Sequence, residues 1–170
     1  FLICADGAHS PIGKMAGLGT NLAECVAWEV EIQAKEQDIH PKISSATALI
    51  DIGFQPWGYA WMFPKAEVLS VGIVTPRSQA EKMKTRTQNY LEHLNIAEHP
   101  IDIAKGHKIR FRRHAEQIAK KRVALIGDAA GLADEFTQEG ISYAIQSGKL
   151  VAKSLISHEN ADPLTKYENA

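Results

Sequence analysis

Val123-Ala124-Leu125-Ile126-Gly127-Asp128-Ala129-Ala130-Gly131 decides how this 170-residue chain is read. Four apolar residues without polar alternation make a strand buried on both faces, the kind found in a parallel sheet. Gly-Asp at its end delivers a carboxylate to the C-terminal edge of that sheet, where open α/β folds bind ligands. About ten residues later Gln138-Glu139-Gly140-Ile141 opens a helix. In it Ile141, Ala144, Ile145, Gly148, Ala152 and Leu155 recur at i, i+3, i+4, i+7 spacing. The free N–H groups of its first turn and the positive end of its dipole then face the same edge, which suits an anionic or electron-rich group. Asp128 can accept hydrogen bonds from a polyol, and Gly140 has no side chain to hold a flat ring away. Taken singly, Asp128 also reads as a turn cap and Gly140 as a loop glycine. The pair at this spacing, with Ser147-Gly148 behind it, is what points to a flavin-like cofactor.

Working outward, Phe1-Leu2-Ile3-Cys4-Ala5 reads as the end of a second buried strand that turns at Asp6-Gly7. Ser10 to Gly17 is a short helix, with Ser10 as N-cap and Pro11 in the first turn. From Cys25 to Gln33, Val26, Trp28, Val30 and Ile32 alternate with Glu29 and Glu31, which is a half-exposed strand. Thr47 to Ile52, Gly58 to Phe63 and Val68 to Val74 are further strands, close enough in sequence to pair antiparallel. Ser78 to Leu94 is an amphipathic helix for one face of that sheet, and Lys108 to Ile118 is extended. Asp162-Pro163 starts a last helix, and both ends read as cut from a longer protein. The expected architecture is α/β, mixed with α+β. Residues 1–22 and 107–170 are the remainder of a doubly wound cofactor-binding domain, and 23–106 form an antiparallel-sheet substrate domain with a helix packed on it.

Composition narrows the function. Nineteen Lys and Arg against twenty Asp and Glu give a net charge of −1, so no nucleic-acid partner is expected. Cys4 and Cys25 form no metal-spaced cluster and no disulfide framework, so no metal site is expected and a reducing, cytoplasmic setting fits. No apolar stretch approaches the roughly 20 residues of a membrane span.

Three patches then carry a resemblance. They are Ala5-Asp6-Gly7-Ala8-His9-Ser10-Pro11, Tyr59-Ala60-Trp61-Met62-Phe63-Pro64-Lys65, and Gly127-Asp128-Ala129-Ala130-Gly131 running on to Glu139-Gly140-Ile141. Together they resemble the aromatic-hydroxylase superfamily of flavoproteins, and within it the geranylgeranyl reductase branch. The resemblance implies FAD as cofactor and NAD(P)H as reductant. It puts Asp6 and Gly7 near the flavin pyrophosphate. Asp128, with Gly127, Ala129 and Gly131 shaping its turn, would contact the ribityl chain, and Glu139, Gly140 and Ile141 would lie beside the isoalloxazine. Tyr59, Trp61 and Phe63 project to one side of a strand, and the resemblance makes them the apolar wall of a prenyl substrate site. Their alternative reading is ordinary core packing.

The implied reaction is saturation of isoprenoid C=C bonds, as in lipid biosynthesis, on a small-molecule or prenyl-lipid substrate and with peripheral membrane contact as the expected setting. A monooxygenase or halogenase of the same fold, or a non-catalytic truncated fragment, are the alternatives. Tyr59 and His9 carry groups able to donate a proton, but neither is assigned. The chain departs from the family pattern in holding no Gly-x-Gly-x-x-Gly, the unit that seats a dinucleotide pyrophosphate on a helix N-terminus. The 170 residues alone are therefore expected to be inactive and to bind FAD weakly or not at all. Micromolar binding in a fluorescence titration would contradict this.

Overall fold

A computed structural model describes residues 1–34, 47–113, 116–157 and 162–170. In chain order the strands are β1 (Leu2–Cys4), β2 (Ala23–Ile32), β3 (Leu49–Asp51), β4 (Tyr59–Pro64), β5 (Leu69–Pro76), β6 (Ile101–Phe111), β7 (Ala119–Lys120) and β8 (Val123–Leu125). The helices are α1 (Pro11–Met15), α2 (Met83–His93), α3 (Ile141–Ile156) and α4 (Pro163–Glu168). The chain divides into two compact units, one of Phe1–Glu24 with Lys108–Ala170 and one of Cys25–His107. Among the described residues no helix is long and apolar enough to cross a membrane. Of the stretch expected to be extended from Lys108 to Ile118, β6 covers the part to Phe111, and residues 114–115 lie outside the described ones.

The first unit is built on a sheet in the order β1-β8-β7, with β1 and β8 parallel and Cys4 opposite Leu125. Ala124 and Leu125 are fully buried, as the unbroken apolar run requires. At Gly127 the backbone enters the left-handed region, at φ +55°, which ends the strand and starts the short 3-10 turn Gly127–Ala130. Asp162 caps α4 by accepting from the Thr165 amide at 3.1 Å. Tyr167 on that helix donates to the Leu125 carbonyl at 2.8 Å, and burial pushes its phenol up to about 12.

The longest helix differs from its sequence reading. Periodicity marks Ile141, Ala144, Ile145, Gly148, Ala152 and Leu155 as the buried stripe, and the stripe splits: Ala144, Gly148 and Leu155 are half-buried, while Ala152 is exposed, Ile141 is 77 % exposed and Ile145 55 %. The fully buried positions are Ser147, Val151 and Ser154, beside Ala144 and Leu155 on the packed side. Small side chains let the helix come close to the Gly-Asp turn, where the Ser147 hydroxyl accepts from the Gly127 amide at 3.0 Å. Close approach and a hydrogen bond thus decide which face is buried, over apolar area.

The second unit carries a sheet in the order β3-β4-β5-β2-β6, with β4 antiparallel to β3 and β5, and β2 antiparallel to β5. Register assigns its two faces. Val30, Val71 and Met62 are opposite one another, as are Trp28, Ile73 and Ala60, and this face forms the core with α2. From α2 come Met83, Leu91 and Tyr90, and Tyr90 has no exposed surface. Burial raises the Tyr90 phenol above its ordinary range. The sequence stripe of α2 included Met83 and Leu91 but not Tyr90, because a phenol reads as an intermediate residue in any burial scale.

Candidate functional site

Two motifs meet at one edge of the first unit's sheet. Since β1 and β8 are parallel and in register at Cys4 and Leu125, Asp6-Gly7 and Gly127-Asp128 both leave at the C-terminal end of adjacent strands. The Ile126 amide donates to the Cys4 carbonyl at 3.0 Å and ties the two exits together. Adjacent strands lie about 5 Å apart, so two Asp-bearing turns share one rim.

The third motif arrives from α3. A Cβ placed on Gly140 would lie 3.2 Å from the Asp128 carboxylate oxygen and 3.7 Å from the Ala133 methyl. Glycine there lets the carboxylate rest against the start of the helix. A Cβ on Gly127 would be 3.1 Å from the Ala144 methyl, so that turn also needs the bare backbone to sit under α3. The strand-tip carboxylate and the helix mouth form one corner, with Asp128 half-buried and Ile141 open beside it. A polyhydroxylated chain on the carboxylate and a flat ring across Gly140 fit that corner.

The Ser142 amide of the helix mouth is not free, contrary to the sequence expectation. The Glu139 carboxylate accepts from the Ser142 amide at 2.7 Å and from the Ser142 hydroxyl at 2.8 Å. These bonds, the amide first, hold the Glu139 carboxyl below its ordinary range. The helix dipole is thus met by an internal anion. The approach loop is ordered by Asp134, which accepts from the amides of Phe136 and Thr137 and from the Thr137 hydroxyl. Gln138, just before Glu139, takes φ 61°.

The remaining predicted cofactor residues play other parts. Ala129 has no exposed surface, and Gly131 is buried where a Cβ would meet Leu22 at 2.8 Å, so both build the inside of the turn. Asp6 accepts from the Ser10 hydroxyl at 2.7 Å and from the Ile12 amide at 3.2 Å, organising the start of α1. Burial works to raise the Asp6 carboxyl, and these hydrogen bonds outweigh it, leaving it below its usual range. Gly7 supplies the left-handed turn, at φ 77°. Sequence reasoning missed Arg110, which is buried and donates to the carbonyls of Ala8 at 3.2 Å and Gly19 at 2.6 Å, pinning the loop after Asp6-Gly7. Its sequence context, the basic run Lys108-Ile109-Arg110-Phe111-Arg112-Arg113, carries no signal that sets it apart from the basic residues beside it.

In the second unit, Tyr59, Trp61 and Phe63 do share one face of β4. Neighbouring ring centroids are 6.2 Å apart in both pairs, with Tyr59 edge-on to Trp61 and Trp61 stacked on Phe63. This face is opposite to the α2 core in register: Trp61, Gly72 and Glu29 lie in one row, and Phe63, Ser70 and Glu31 in the next. Glu29 accepts from the Ser70 hydroxyl at 2.7 Å and pairs with Lys65 at 3.5 Å and Lys105 at 3.4 Å, while Lys65 also pairs with Glu31. Burial works against the charge on Glu29, but the Ser70 hydroxyl and the two lysines prevail and lower its carboxyl. Gly72 and Ser70 were not singled out from sequence, although a glycine inside a strand pattern marks a close approach.

No protein-family model matches the chain. Individual proteins do. The geranylgeranyl diphosphate reductase of Synechocystis is 30% identical over 166 residues, covering 94% of this chain and 39% of its own length. The digeranylgeranylglycerophospholipid reductase of Methanosarcina acetivorans is also 30% identical over 166 residues, covering 91% of this chain and 39% of its own length. Among solved structures, a geranylgeranyl bacteriochlorophyll reductase-like protein of Thermoplasma acidophilum superposes with a TM-score of 0.83 at 25% identity, over 98% of this chain and 44% of that one. The chain therefore spans less than half the length of each of these proteins.

Proposed function

The chain is a homologue of the geranylgeranyl reductase family of flavoproteins, and on that premise we propose that it carries part of the cofactor site and the substrate wall of an FAD-dependent prenyl reductase. Residues 1–22 and 107–170 belong to the cofactor-binding domain and 23–106 to the substrate domain. The observation that carries the reading is the Asp128 carboxylate lying against the start of α3, 3.2 Å from the point where any residue but glycine at 140 would place its Cβ.

When bound, FAD supplies hydride transfer to a C=C bond, with NAD(P)H as the ultimate reductant. The protein's own residues position and shield. Asp128 accepts hydrogen bonds from the ribityl hydroxyls. Gly140 and Ile141 leave room for the ring and give it an apolar neighbour. Asp6 and Gly7 shape the rim beside the pyrophosphate. Tyr59, Trp61 and Phe63 offer the prenyl chain an aromatic strip, bordered on the same face by the ion pairs of Glu29 and Glu31 with Lys65. The substrate is a prenyl lipid or prenyl diphosphate, met in a reducing compartment and at the surface of a membrane.

Monooxygenase and halogenase chemistry would use the same two Asp motifs. The relatives at 30% identity are reductases, which favours the reductase. The test uses the full-length protein with NAD(P)H and geranylgeranyl diphosphate, without oxygen. The expected product gains two mass units for each double bond saturated. An inert prenyl substrate, together with oxygen uptake stimulated by an aromatic compound, would overturn the reading.

A further inference from the structure

The aromatic face of the second unit contains a clamp on one of its rings. Trp61 and Gly72 are opposite one another in the β4–β5 register. A Cβ on Gly72 would meet the Trp61 ring at Cζ2 and would lie 2.6 Å from Cη2. The indole therefore lies across the neighbouring strand, in the space a side chain at 72 would fill. Its Nε1 donates to the Ser70 hydroxyl at 3.4 Å, and that hydroxyl donates to Glu29 at 2.7 Å. Lys65 and Lys105 hold Glu29 in turn. Ser70 is buried, 3 % exposed, and Trp61 only 9 %. A relay of indole, hydroxyl, carboxylate and ammonium groups thus crosses the sheet from β4 to β6.

The geometry points to Ser70 as a positioning residue: with Gly72 it holds the Trp61 indole flat, and so sets the depth of the aromatic strip, bordered by the Glu29 ion pairs, that a prenyl chain lies on. The inference rests on the reading of that face as the substrate wall. Two features make the clamp directional. Stacking on Phe63 at 6.2 Å leaves the indole free to slide, since dispersion has no fixed direction. The Nε1 hydrogen bond has a direction, and the Glu29 carboxylate orients the Ser70 hydroxyl as donor, leaving its lone pairs for the indole. Without it the ring can lift from Gly72 and make the wall shallower.

The variant to use is Ser70→Ala in the full-length enzyme, which removes one oxygen. Gly72→Ala is unsuitable as the main test, because its Cβ would also press on the Trp28 carbonyl oxygen of the adjacent strand. Two readouts are taken on the same preparation, at a temperature well below the measured melting point of the variant. The first is the set of indole N–H signals in 15N-tryptophan-labelled protein, which has tryptophans only at 28, 57 and 61 in this chain, with Trp61 assigned by its loss in Trp61→Phe. The second is KM and kcat for geranylgeranyl diphosphate and for the shorter farnesyl diphosphate. Ser70→Ala is expected to shift the Trp61 signal and speed its hydrogen exchange. It is also expected to raise KM for the longer substrate by roughly three- to tenfold, more than it lowers kcat and more than it changes KM for the shorter one. An unmoved Trp61 signal overturns the clamp. A moved signal with the KM ratio unchanged overturns its part in specificity. A wild-type enzyme that reduces neither of these diphosphates nor a digeranylgeranylglycerophospholipid overturns the substrate-wall reading itself, and the specificity claim with it.

Discussion

In the unit of residues 25–107 the strands β2, β4 and β5 turn one apolar face onto α2 and close a core there, whereas in the other unit the longest helix leaves Ile141, Ile145 and Ile156 to solvent. Both elements have the periodicity of a buried face. Among the described residues the strands bury that face whole, whereas the helix packs only the side that carries Ala144 and Leu155. The contrast separates two uses of apolar residues: a core that stabilises its own unit, and a helix face whose packing within its unit is done by serines on the adjacent side. It also matches the proposed division of labour, in which the first unit offers a polar rim and a helix mouth to a cofactor while the second offers a shaped aromatic sheet.

Ile73→Ala, in the centre of the closed core, is expected to cost about 2–5 kcal/mol and to lower hydrogen-exchange protection of amides in residues 25–107 first. An equal loss of protection across residues 1–24 and 108–170 would erase the distinction between the units. Next in size is Gly127→Ala. A φ of +55° and an Ala144 methyl 3.1 Å from the new Cβ predict a loss of about 1–2 kcal/mol in denaturant unfolding, and no loss would mean that the turn does not sit under α3 as described. The smallest effect sharpens the comparison on one helix. Ile145→Ser is expected to cost less than about 0.5 kcal/mol, against roughly 2 kcal/mol for Val151→Ala one face away. The reverse order would restore the stripe that periodicity marks.

That stripe shows where sequence reading stops. Spacing identified the helix and its apolar residues, because a 3.6-residue period is written in the chain. What the face meets is not written there, and Ser147, whose hydroxyl accepts from Gly127, carries no periodic signal at all. The Gly-Asp turn was legible for the opposite reason: a two-sided buried strand, a left-handed glycine and an acid are all local requirements. The antiparallel sheet was legible from alternation and short connections. The Ser142 amide at the helix mouth was misjudged because Glu139 could as well have faced solvent. Its bonds to Ser142 depend on the loop that Asp134 orders. Gly72 and Ser70 needed the strand register, since neither is near Trp61 in sequence.

Asp128 and the start of α3 are proposed to hold the flavin together as one corner. The most direct measurement is the FAD dissociation constant of the apo full-length protein, by flavin fluorescence, for wild type and for Asp128→Ala. The expected outcome is a weakening of about tenfold or more with little change in the melting temperature of the apoprotein, as for the loss of a charged acceptor that contacts the ligand. Equal affinity in the two proteins, with both folded, would contradict it.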